Sequence, residues 1–587
     1  MKAKIILLSV VVLGLMSCNK QLDLPSDGRI TMDQVFSDYN RTRGYLNSCY
    51  GYLPTLSMDR ASLSDEAEDA NDVTSGSKFD MWYSGNLTPS NYGTFSSDGS
   101  PWTSLYEGIY KCNNFLANIG SSTAYASAEE KAGWTAQAHA LRALYYLQLI
   151  KRYGGVPIFS TPLGIDHDFS KDTRASFADV VKFIVNDCDS ALAVPNTELG
   201  FSWNIYDNQY GIMSRAVAYA IKSEAVMYAA SPLWSDGTYT WADATEVTAE
   251  ALFQCLDNDY SLFTKVPTGD AAQNAYALYF LTSSNDKRAV DKETIYQGGA
   301  TMNVWRDAGL PTNDGMNTAG PCPTQDLVDS YEMANGEAPI TGYSDASRLQ
   351  PIVNAASGYD EKDPYAGRDP RFYASIYYNG AVRYLNQPSG QKVETYVGGA
   401  EGISSLNIKH TRTGYYLRKF NNYKSAKSNN ADGAMRLFRL AELYMNFAEC
   451  AYQFDGPDAP VTLLGHTMTA REAVDAVRER AGMPDFPIGM SKEDFEKKYR
   501  NERRVEFAFE EQRFFDVRRW KILDQTDKFV TGMSIEKTGT GFTYSRFKFN
   551  DRGCSTDKYL MYPIDQTEAN KIVGYTGVDW QNPGWEN

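Results

Sequence analysis

Histidine is almost missing from the 587-residue chain: there are four, His139, His167, His410 and His466. None has the spacing of a metal ligand set or of an activated nucleophile, so metal-assisted hydrolysis and Ser-His or Cys-His chemistry have no visible seat. Beyond position 18 the cysteines, at 49, 112, 188, 255, 322, 450 and 554, are scattered, odd in number and never spaced CxxC. That argues against a zinc site and a disulfide framework and leaves them as small buried hydrophobes. No glycine-rich loop stands between a strand and a helix to cradle phosphate. Clustered basic residues are missing as well. With a net charge of −16 the chain repels the phosphates of nucleic acid and of anionic lipid. No segment after the N-terminus is apolar for long enough to span a bilayer.

What is present starts at the N-terminus. Lys2 and Lys4 precede the short apolar run from Ile5 to Met16, and Ser17-Cys18 follows. A charged start, a run too short to cross a membrane and a small residue make a secretory signal. A cysteine directly behind it resembles a bacterial lipoprotein signal, so residues 1–17 are expected to be removed and Cys18 lipidated. Residues 18–30, polar and carrying Pro25 and Gly28, read as the tether.

The strongest helical pattern is AQAHALRALYYLQLIKRYGGVPIF, residues 136–159. Ala136, Ala140, Ala143, Leu144, Leu147 and Ile150 form one stripe of period 3.6, and its small residues let a neighbouring helix approach closely. His139, Arg142, Gln148 and Lys151 fall off the stripe. Lys151 and Arg152 oppose the negative helix end, and Gly154-Gly155 followed by Pro157 stops it. Leu437, Leu440, Ala441, Tyr444, Ala448 and Ala451 repeat the same pattern. Further helices are expected over 31–53, from Trp102 to Gly120, and over 177–192, 215–230, 471–481 and 492–511. Short connections between them suggest degenerate tetratricopeptide-like pairs, although no constant period is visible.

Two regions break this pattern. From Ser62 to Pro101 a polar, acidic stretch contains Asp65, Glu66, Glu68, Asp69 and Asp72, and reads as a solvated loop or as polar contacts to a sugar. From Ser231 to about Ala434 Gly, Pro, Asn, Ser and Tyr dominate, with short strands expected at 294–299, 371–380 and 414–420. Aromatic content is 13%, with 40 tyrosines, a surplus that points to a recognition surface. The segment 501–520 alternates acidic and basic residues along one amphipathic element. It reads as a structural ion-pair network, since a glycosidase needs two carboxyls facing one sugar.

Four segments together resemble the SusD/RagB family of outer-membrane nutrient-binding lipoproteins: LRALYYLQLIKRYGGVPI (141–158), FRLAELYMNFAECAY (438–452), NERRVEFAFEEQRFFDVRRW (501–520), and YPIDQTEANKI with QNPGW (562–572, 581–585). They occur in family order across nearly the whole mature chain. Two positions depart from the pattern: Glu511, where the family usually has glycine, and Asp565, where proline is common. The resemblance implies a mainly α, SusD-like fold with degenerate tetratricopeptide-like helix pairs and long loops carrying short strands. It implies one integrated domain, 31–587, in three parts: helical repeats over 31–235, a loop-rich ligand-binding part over 236–435 and a helical part over 436–587.

It further implies a non-catalytic, cell-surface glycan-binding lipoprotein that passes nutrient to a SusC-like TonB-dependent outer-membrane transporter, with no cofactor and no metal. The alternatives are a peptide-binding, RagB-like member of the family and a surface glycoside hydrolase. Carried over by position, the ligand residues are Trp82, Tyr83 and Asn86, with Tyr296, Trp305 and Arg306. Trp82 and Trp305 are the expected stacking platforms, and Trp102 is expected in the core. Trp203, Trp234 and Trp241 are left open.

Overall fold

The computed structural model describes residues 30–53, 56–92, 101–203, 210–265, 274–281, 291–298, 302–383, 391–422, 425–429 and 431–586. Cys18 and the tether before residue 30 lie outside the described residues. Helices longer than seven residues are numbered α1 (Tyr39–Cys49), α2 (Pro101–Ile119), α3 (Ala128–Tyr153), α4 (Phe177–Leu192), α5 (Arg215–Ala230), α6 (Trp241–Asp257), α7 (Leu440–Asp455), α8 (Ala470–Ala481), α9 (Lys492–Glu506), α10 (Gln512–Arg519) and α11 (Gln566–Thr576).

Local chemistry sets the ends of α3. The Ser127 side chain accepts from Glu130 N, and Gly154 at φ 76° terminates the helix. Its apolar stripe is buried as expected, but so are Leu141, Arg142, Tyr145, Tyr146 and Gln148 on the other faces. The reason is that α3 is a central element, with α2 on one side and α4 on the other. Arg142 is satisfied there by a two-pronged contact to Asp187 at 2.7 and 2.8 Å.

Successive helices from α2 to α6 pack each on the next, in the manner of helical repeats. The array does not end at α6. Helix α7 packs against α6 as the next member, although residues 258–439 separate them in the chain, and α8 and α9 then pack on α7. The loop-rich segment is therefore an insertion into a helical array. Strand Thr294–Tyr296 docks it antiparallel to Phe438–Arg439, at the foot of α7.

Buried ions clamp the insertion to α8, α9 and the turn after α9. Arg371 meets Asp369 at 2.7 Å, Glu502 at 2.5 Å and Glu506 at 3.1 Å. Arg439 meets Glu293, Glu506 and Glu510 at 2.7–2.9 Å. Arg480 joins Glu293 and Glu506, and Arg478 joins Glu332 and Glu502. This is the network expected from the charges of 501–520. Glu511 sits at φ 68°, a conformation that favours glycine; its carboxylate accepts from Ser57 N at 2.7 Å and pairs with Arg60. Asp565, at φ −49°, caps α11 by accepting from Thr567 N.

The helix expected over 31–53 breaks at residues 37–38 and the one expected over 492–511 ends at Glu506; three further expectations change. Helix α6 lies in the region where the sequence breaks the helical pattern: its inward face is carried partly by Thr245 and Thr248, whose hydroxyls bond back to Trp241 O and Ala244 O, so the apolar signal is faint. Residues 371–380 do not form one strand. Asp369 caps a short helix, Pro370–Ser375, with proline at its start, and only Ile376–Tyr377 pairs, with Tyr416–Leu417. The acidic run 65–69 is not solvated. Asp65, Glu66, Glu68 and Asp69 are buried, because Ala67–Asp69 pairs with Pro321–Pro323, arginines neutralise Asp65 and Glu68, and Asp69 accepts from Ser62 Oγ and Asn71 N. Arg513 holds Asp65 at 2.8 Å, Arg504 approaches it at 3.0 Å, and Arg552 binds Glu68.

The seven cysteines beyond position 18 are free and buried. Trp102 is in the core, and Trp203 is buried in a stack on Tyr219.

Candidate ligand-binding surface

The six side chains expected to meet a ligand divide sharply by environment. Trp82 is 1% exposed. The short helix Lys78–Tyr83, capped by Ser77, turns its indole inward against Phe514 and Tyr559, so it has no face to offer a sugar. Tyr296 is 2% exposed, within the strand that docks the insertion, and its hydroxyl donates to Gly211 O at 3.3 Å. Trp82 is corrected from ligand platform, and Tyr296 from ligand residue, to core: aromatic rings in loops pin those loops to the body when apolar partners lie beneath them. Tyr83 is half-buried. Its hydroxyl donates to Ser62 O at 2.9 Å and accepts from Asp69 N at 3.0 Å, so both hydrogen-bonding roles serve the fold, and burial pushes its pKa well up. Asn86 is exposed beside Gly85, which packs on the backbone of Gly553.

Trp305 and Arg306 stand together at the surface, on the single turn Val304–Asp307. Trp305 is half-buried and fixed from beneath. Its backbone N–H donates to Asp432 Oδ2 at 2.8 Å, its indole N–H to Asp314 O at 3.0 Å, and Asn313 donates to its carbonyl at 3.1 Å. Gly309 makes this possible: a Cβ there would lie 2.0 Å from the Trp305 carbonyl oxygen. Gly315, at φ 73°, lets the alkyl chain of Lys427 lie across the loop. The indole is therefore held in one orientation before any ligand arrives.

Polar groups surround it. Arg306, half exposed, lies 3.2 Å from Asp307 Oδ1, and Asn317 donates to the same oxygen at 2.9 Å. The loop's far side is tied to residue 408, and from that neighbouring segment Arg412 reaches Asp72 at 2.6 Å. A fixed, half-exposed indole beside an arginine, a carboxylate and an amide suits a flat ligand with hydroxyls around its edge. Asp307, Asn317 and Asp314 were not picked out from sequence. Their signal is weak, because Asp and Asn are common in turns whether or not they meet a ligand.

Among the described residues no group of three or more His, Cys, Asp or Glu side chains is placed to hold a metal ion. No described helix is long and apolar enough to cross a membrane.

Residues 281–585 match the model of the SusD family. The chain belongs to the SusD family. Residues 34–220 match a second model, described as starch-binding, associating with the outer membrane. A SusD-like protein of Formosa agariphila is 24% identical over 439 residues, which cover 72% of this chain and 70% of that protein. Among solved structures, a SusD-like protein of Bacteroides fragilis is 25% identical with a TM-score of 0.73, over 94% of this chain and 98% of that one. A SusD-like carbohydrate-binding protein of the same organism is 22% identical with a TM-score of 0.65, over 92% and 99%. This SusD-family chain thus shares the fold along almost its whole length, insertion included.

Proposed function

We propose that the chain is a non-catalytic glycan-binding lipoprotein, anchored through Cys18 at the outer-membrane surface, that captures oligosaccharide and passes it to a SusC-like TonB-dependent transporter. The observation that carries glycan capture is the Trp305 loop, where a preset indole stands beside Arg306, Asp307 and Asn317. Pyranose rings present a C–H face that stacks on an indole and equatorial hydroxyls that bond to such groups. Family membership supports the reading, as does the similar B. fragilis structure described as carbohydrate-binding. In this reading the ligand-binding part is the insertion, which begins after α6 and not at residue 236, because Trp241–Asp257 is a member of the helical array.

The test is a titration of the purified mature chain against a panel of polysaccharides and peptides, with Trp305→Ala and Asn317→Ala beside it. Trp305→Ala is expected to weaken glycan binding about tenfold and Asn317→Ala several-fold, from losses of about 1 kcal/mol per contact. Unchanged affinity in both variants would place the site elsewhere. Binding confined to peptides would favour a RagB-like role, and reducing sugar released by the wild-type chain would overturn the non-catalytic reading.

A further inference from the structure

The Trp305 loop carries a charge pattern as well as an aromatic platform. Arg306 is half exposed, yet it does not stand as a lone cation. Its Nε and Nη2 face Asp307 Oδ1 and Oδ2 at 3.2 and 3.3 Å, and the Asn303 amide, turned to present its oxygen, accepts from Nη2 at 2.9 Å. Asn317 donates to Asp307 Oδ1 at 2.9 Å and so fixes the carboxylate as well. An ion pair this exposed adds little to stability, because solvent screens it. Its effect falls instead on whatever approaches the indole.

The surrounding charges lean the same way. Asp314, whose carbonyl accepts the indole N–H, is exposed, and the Asp432 carboxylate lies beneath, accepting from Trp305 N. Against them stands Lys427, exposed, with its alkyl chain on Gly315. Arg383 reaches Asn313 of the loop, but it is buried and faces Glu401 at 4.0 Å, which in turn accepts from Thr312. Carboxylates thus outnumber cations among the charged groups on this loop and those bonded to it or packed on it, in a chain whose net charge is −16. A uronate or sulfate set beside the indole would meet charge of its own sign, and the arginine that could answer it is already engaged.

Hydroxyls ask for something different. Each is donor and acceptor at once, and a guanidinium held beside a carboxylate offers both roles without net charge. Specificity of this kind comes from an element that repels the wrong ligand as much as from one that attracts the right one.

We infer that the Trp305 loop takes neutral glycans and rejects those bearing uronate or sulfate, with Asp307 setting this choice by engaging Arg306 and adding its own negative charge. The inference rests on the glycan reading above and adds the charge class of the ligand to it.

The experiment first titrates the purified mature chain against neutral polysaccharides (starch, laminarin, galactomannan, xyloglucan and levan) and against alginate, polygalacturonate and carrageenan. A neutral polymer that binds is then compared in two lightly substituted forms, hydroxyethylated and carboxymethylated, which add similar bulk but differ in charge. Wild type is expected to bind the carboxymethylated form at least tenfold more weakly at roughly 20 mM salt, with the gap shrinking at roughly 500 mM, where screening is strong. Asp307→Asn should narrow the gap several-fold, and Arg306→Gln, which leaves Asp307 unopposed, should widen it. The readout is a ratio of affinities, so a hydrogen bond lost to both polymers cancels, and opposite signs from neighbouring residues do not follow from loosened structure. Unfolding midpoints check that both variants fold. Equal wild-type affinity for the two forms, or binding confined to the anionic polymers, would overturn the inference and leave glycan capture standing. A gap that neither variant changes would overturn it as well, by removing the choice from Asp307. A chain that binds no polysaccharide at all would remove the glycan reading, and the inference with it.

Discussion

Truncating Trp82 to alanine removes a ring that packs against Tyr559 at 5.0 Å and Phe514 at 6.2 Å. A cavity of that size costs about 3–5 kcal/mol, so Trp82→Ala should unfold at markedly lower denaturant, while its folded fraction binds glycan as wild type does. A normal midpoint with lost binding would restore Trp82 to the ligand. Both partners lie more than 400 positions away in the chain, which is why sequence alone did not separate Trp82 from Trp305: an aromatic in a loop looks the same whether a distant segment covers it or not. A second residue tests the buried charges. Burial, then Glu224, pushes the Glu442 carboxyl up to about 8. In the unfolded chain this group releases its proton near pH 4.3. The stabilisation from holding the proton is thus fully present below that pH and lost as pH rises through 8. Glu442→Gln should therefore gain on wild type between pH 5 and pH 9; a constant difference in melting temperature across that range would refute this.

Helices show the opposite balance of local and distant information. Ser127, Ser176, Ser214, Thr469 and Ser491 each cap the helix that follows them, but those helices were read from the residue pattern of their bodies and not from the caps, which is why α3 was expected from Ala136 and begins at Ala128. Where threonines replaced leucines on the buried face, as in α6, the pattern faded although the Thr240–Asp243 capping box remained. The ion network between elements was legible as alternating charge, but not its partners. Glu506 shows what those partners do: burial would raise its carboxyl, yet Arg480, Arg439 and Arg371 together hold it down at about 2. The stability this supplies is present above pH 4.3 and lost as pH falls through 2. Glu506→Gln should cost about 3–5 kcal/mol at pH 7, because it strands buried guanidinium groups. The deficit should narrow towards pH 3 in urea unfolding curves, and a deficit unchanged between the two pH values would count against the network's role.

At the scale of the whole molecule, the insertion and the two helical runs interlock through Glu293, Arg439 and Glu506 and through the strand pair at the foot of α7. Calorimetry should accordingly show one endotherm for residues 30–586; two well-separated endotherms would mean that the parts unfold independently. The family and the helical architecture were legible from motifs spread along the chain. The continuity of the array across residues 258–439 was not, since nothing in a sequence says that two helices so far apart are neighbours. That continuity constrains the order of folding. Phe253 of α6 packs on Phe447 of α7, with ring centres 5.7 Å apart. A chain delivered N-terminus first must keep the open face of α6 from wrong partners until α7 has followed it. The long insertion therefore sets how long that helix face stays uncovered while the chain is made.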